Sequence, residues 1–113
     1  MLSRNNLQLF ESSWVSFRMG CVWVPTNFRL TPPEVAYLAS SSGAKVMIYQ
    51  KGFEDHAKRV LEEADSLKFL ICIGDDQGDY QDYESMIESH LGQEFKDEIW
   101  VGKKVNQEKN IQI

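Results

Sequence analysis

The stretch Gly20-Cys21-Val22-Trp23-Val24-Pro25-Thr26-Asn27-Phe28-Arg29-Leu30-Thr31-Pro32-Pro33-Glu34 decides how the whole chain is read. Cys21 to Pro25 is a continuous apolar run without alternation, which predicts a strand covered on both faces, the kind found mainly in parallel sheets. Pro25 ends it, because proline cannot donate to the hydrogen-bond ladder. Thr31, Pro32 and Glu34 then spell a helix start: an N-cap hydroxyl, a proline where no N–H is needed, and a glutamate that closes a capping box. Strand, turn and helix are thus specified within fifteen residues.

Upstream, Leu7, Phe10, Trp14 and Phe17 recur at steps of three and four, predicting a helix over 6–19 with these side chains as its core face. Asn5 or Asn6 can cap its start, and Gly20 can close it in a left-handed conformation. Downstream, the Thr31 helix passes through Val35, Leu38 and Ala39 to Ser40-Ser41-Ser42 and closes at Gly43. Strands are expected at 45–49 and 68–73, around a helix that places Ala57, Val60, Leu61 and Ala64 on one face. The fold class is therefore α/β: a partial three-layer parallel sheet flanked by helices, in alternating helix–strand units. The composition changes after Ile73, dividing the chain into an α/β part over 1–75 and an acidic surface segment with a polar tail over 76–113. Within the second part, 82–91 reads as a short surface helix.

The totals bound the function. At 113 residues the chain is one domain or part of one, and its formal charge of −5 offers no basic field for nucleic acid. No apolar run reaches the ~20 residues of a membrane span. Cys21 and Cys72 form no CxxC pair and sit in apolar runs, so they read as buried thiols, and the expected compartment is the cytoplasm. The acidic run from Asp75 fails as a calcium loop: the sixth place is Tyr80 and the twelfth is Met86, where glycine and glutamate are needed. His56 and His90 have no neighbours at metal-ligand spacing, and Ser40-Ser41-Ser42, at a helix end, read as structural. No GxSxG, HExxH or glycine-rich phosphate loop occurs. No catalytic, cofactor-binding or metal-binding residue is assigned. Asn27 and Arg29 read as fixing the turn, with direct substrate contact as the other reading.

The segment GCVWVPTNFRLTPPEVAYLASSSGAKVMIY resembles the AMP-forming acyl-CoA synthetases of the adenylate-forming ligase superfamily. Their pattern is a helix opening on Asn, a Gly-Ala-Val-x-Val-Pro strand, an Asn-x-Arg-Leu turn, a Thr-Pro-x-Glu helix start and a Ser-Gly-Ala-Lys step. Here these are Asn5 or Asn6, Gly20–Pro25, Asn27–Leu30, Thr31–Glu34 and Ser42–Lys45. The likeness is strong from Asn6 to Tyr49 and weaker around Ile73-Gly74-Asp75 and Tyr80…Tyr83-Glu84. It implies a fragment of the large N-terminal AMP-binding domain of an ATP-dependent carboxylic acid–CoA ligase, with a fatty acid the expected substrate. ATP, Mg²⁺ and coenzyme A would serve the full enzyme and none would bind this stretch alone. Its partners would be the remainder of the ligase domain and, through the full enzyme, the carboxylic acid. The family's phosphate loop, adenine and ribose motifs and mobile catalytic lysine have no counterpart here, and the strand before the first helix is missing. Asn110–Ile113 reads as the start of the strand that leads into that loop. Open sheet edges and a partly uncovered aromatic face imply a piece that is marginal, aggregation-prone or partner-dependent alone.

The alternative is a free-standing α/β binding or receiver-like signalling module, with Asp75 and Asp76 at the carboxyl edge of the sheet. Against it, Pro25-Thr26-Asn27 stands after the first strand where an acidic pair is needed.

Overall fold

The computed structural model describes residues 1–74 and 81–93. Its elements are α1 (Leu7–Met19), α2 (Pro32–Ser42), β1 (Val46–Gln50), α3 (Glu54–Glu63), β2 (Phe69–Ile73), β3 (Gln81–Asp82) and α4 (Tyr83–Ser89). The sheet has the order β1-β2-β3 and is parallel throughout. Val46 to Gln50 pair in register with Phe69 to Ile73, and Ile71 and Cys72 pair with Gln81 and Asp82.

Strand alternation sorts the core into two clusters. Met47, Tyr49, Leu70 and Cys72 point to one face, where Val35 and Ala36 of α2 and Ala57 and Val60 of α3 cover them. Ile48 and Ile73 point to the other face, joined by Met1, Leu9 of α1 and Tyr83 of α4. The result is the partial three-layer α/β arrangement expected. Within α3, Ala57 and Val60 are buried as the periodicity predicts, whereas Leu61 is exposed at the margin of that face.

Two elements differ from expectation. Residues 21–25 form no regular strand; the segment is extended and partly exposed, and it reaches the sheet through a bridge at Thr26. Its partner is the chain's own start. Leu2 bridges in parallel to both Thr26 and Tyr49, so Met1-Leu2-Ser3 lies between the 24–26 segment and β1. The ties are Leu2 N–H to Ile48 O (2.8 Å), Gln50 N–H to Leu2 O (3.0 Å) and Thr26 N–H to Met1 O (2.9 Å). Met1 and Leu2 also alternate between the two core clusters as strand residues do. The strand expected to be missing before α1 is therefore represented by this short piece.

The second difference is the sidedness of α1. The helix and both its caps stand where expected: Asn6 accepts from Leu9 N–H, and Gly20 closes the helix at φ 66°. Its face is inverted. Ser12 and Ser16 are buried, while Leu7, Phe10, Trp14 and Phe17 are 58–75% exposed. Burying serine is tolerated because each hydroxyl donates to a carbonyl one turn back, Ser12 to Leu9 and Ser16 to Ser13. Ser12 Oγ also accepts from Trp23 Nε1–H at 2.9 Å, fastening the helix to the extended segment. Glu11 Oε2 accepts from the Tyr83 hydroxyl at 3.0 Å, fastening it to α4.

Ser12→Ala leaves the Trp23 indole N–H unpaired and is expected to cost about 1–2 kcal/mol in urea unfolding followed by circular dichroism. Trp14→Ala, on the exposed face, is expected to change stability by less than about 0.5 kcal/mol. A larger loss for Trp14 than for Ser12 would overturn the inverted assignment.

Candidate functional site

In an open parallel sheet, ligands gather beyond the carboxyl ends of the strands. In this chain that edge is formed by Ser3-Arg4, the turn from Thr26 to Leu30, Gln50-Lys51 and Gly74. Its polar groups are engaged with one another. Gln50 Oε1 accepts from Arg4 N–H (3.0 Å) and from the hydroxyl of buried Ser3 (3.3 Å). Ser3 Oγ in turn accepts from Asn6 Nδ2 at 2.7 Å, so the cap of α1 and the end of β1 share one network. The Arg4 guanidinium lies 5.8 Å from the Phe53 ring centroid.

The turn is closed in the same way. Asn27 Oδ1 accepts from Arg29 N–H at 3.0 Å and the Asn27 carbonyl accepts from Leu30 N–H at 3.1 Å, an Asx-type turn. The Arg29 guanidinium stacks 5.6 Å over the Phe28 ring. Phe28 and Leu30 pack against the larger core cluster. From α3, His56 Nε2 donates to the Leu30 carbonyl at 2.8 Å, while its ring meets Phe53 edge-on at 5.3 Å. The buried His56 Nδ1 has no hydrogen-bond partner, and the neighbouring Phe53 ring offers it none. Asn27 and Arg29 thus stand together at the turn, and His56 clamps it from 26 residues away. Sequence reasoning passed over His56, Ser3 and Gln50 because their partners are remote in the chain.

The helix amino ends, where anions are attracted, each carry a carboxylate. At α2, Glu34 Oε2 accepts from the Thr31 N–H (2.7 Å) and hydroxyl (2.9 Å). Before α3, both oxygens of Glu54 accept from Gly52 N–H at 3.0 Å, with Asp55 beside it in the first turn. A nucleotide phosphate would meet a carboxylate at either end. A small apolar cavity of about 20 Å³ between α2 and Met1-Leu2 has room for about one water and none for an acyl chain. Among the described residues no group of three or more His, Cys, Asp or Glu could hold a metal ion. Asp75, Asp76, the Asp75–Tyr80 part of the acidic run, Lys103, Lys104 and Asn110–Ile113 lie outside the described residues.

Titratable groups follow their surroundings. Burial pushes the Cys21 thiol up, and neither Cys21 nor Cys72 forms a disulfide. Burial, then the bond to Glu11, holds the Tyr83 phenol far above its usual range, so it serves as a donor. Burial lowers the Met1 amino group to about 5; it donates to Val24 O at 2.8 Å.

No family model matches the chain. Over 75 residues it is 35% identical to the 4-hydroxybutyrate–CoA ligase 2 of Metallosphaera sedula, covering 66% of this chain and 13% of that protein. Over 49 residues it is 39% identical to the long-chain-fatty-acid–CoA ligase FadD13 of Mycobacterium tuberculosis, covering 43% and 10%. Among solved structures, an anthranilate CoA ligase, AuaEII, in complex with anthranoyl-AMP superposes with a TM-score of 0.70 at 22% identity, covering 78% of this chain and 16% of that one. A Rhodopseudomonas palustris protein bearing the name of a long-chain-fatty-acid CoA ligase gives 0.68 at 24% identity, covering 75% and 22%. The chain thus shares the α/β fold of the matching part of these two structures. In sequence the chain is similar to CoA ligases, in line with the resemblance, and it spans about an eighth of the length of the first curated relative.

Glu34 gives a pH dependence. Hydrogen bonds from the Thr31 backbone, then its hydroxyl, lower the carboxyl below 4.5, so its contribution to the first turn of α2 is present above that value. It is lost as the pH falls through the lower folded value. Protection of the Thr31 amide, its exchange taken relative to an unstructured peptide at the same pH, is expected to fall over that range, and Glu34→Gln to remove most of this pH response. Unchanged protection down to about pH 3 would exclude the cap.

Proposed function

We propose that this chain is framework from the N-terminal AMP-binding domain of a carboxylic acid–CoA ligase. In this reading residues 1–75 supply part of the α/β core, and 76–113 an acidic surface segment and polar tail of the same domain. The full enzyme would join a carboxylate to AMP with ATP and Mg²⁺, then pass the acyl group to the thiol of coenzyme A. Electrostatic stabilisation at the phosphates would carry most of the first step. The similarity to named CoA ligases supports the activity, and FadD13's name supports a fatty acid as substrate class. Cysteines outside any disulfide agree with a reducing, cytoplasmic setting. No helix of the described residues is long and apolar enough to cross a membrane.

The observation that carries the framework role is the engagement of polar groups at the carboxyl edge. Ser3, Asn6, Asn27 and Gln50 hydrogen-bond within the chain, and the carboxylates of Glu34 and Glu54 accept from Thr31 N–H and Gly52 N–H just ahead of α2 and α3. Binding a nucleotide there would require breaking these contacts and placing phosphate beside carboxylate. The receiver-like alternative rests on Asp75 and Asp76 alone and draws no support from the relatives.

The test replaces the stretch of the Metallosphaera sedula ligase equivalent to Leu2–Ile73 with these residues and measures ATP–pyrophosphate exchange with 4-hydroxybutyrate. A framework role expects exchange within about tenfold of the parent, that is within ~1.4 kcal/mol of barrier. The 113-residue chain alone is expected to show no exchange above background. A folded hybrid slowed by ~10³ or more would place reacting groups within the replaced stretch. Tight ATP binding by the chain alone would equally overturn the reading.

A further inference from the structure

We draw no further inference here: the strongest candidate, the exposed apolar stripe of Leu7, Phe10, Trp14 and Phe17 along α1, carries nothing because nothing in the structure shows what covers it.

Discussion

The structure depends on a three-residue insertion. Met1-Leu2-Ser3 lies between the extended 24–26 segment and β1 and answers backbone groups on both sides, with ties of 2.8–3.0 Å. Without it, β1 would present an unpaired edge toward the Pro25 turn, and that turn would have no backbone connection to the sheet among the described residues. Leu2 is 1% exposed, so the same residue that pairs the backbone also fills the core beneath α2. Backbone pairing and side-chain burial therefore fail together if this piece is displaced, which makes the junction cooperative.

The junction explains how much was legible from residues alone. Strands 46–50 and 69–73 and helices 32–42 and 54–63 were readable because their signals are local: apolar runs, capping residues and turn glycines. The strand expected at 21–25 was misread because an apolar run was taken to require cover on both faces. Val22 is instead exposed, and the run makes isolated bridges in place of a continuous ladder. The pairing of Leu2 with Thr26 and Tyr49 joins segments distant in sequence, and nothing in Met-Leu-Ser announces it. His56 was dismissed for the same reason: its worth lies in a carbonyl that only the fold brings near.

The face of α1 was misassigned for a different cause. Periodicity identifies where large apolar groups gather, and it assumes a single interior for them to face. Here the described residues form an interior on the other side of the helix, lined by serines whose hydroxyls satisfy themselves within the helix. Sequence located the stripe correctly and could not say which layer it serves. The candidate site was legible mainly as an absence of known motifs. The structure turns that into positive statements about where each polar group at the carboxyl edge is bonded.

The carboxylates set at the starts of α2 and α3 carry an electrostatic consequence. By answering Thr31 and Gly52 with their own glutamates, these helices give up the attraction for polyanions that their dipoles would otherwise lend. A slab built this way is electrostatically quiet toward triphosphates. A triphosphate near this edge would therefore feel repulsion from the two carboxylates where bare helix ends would have drawn it in.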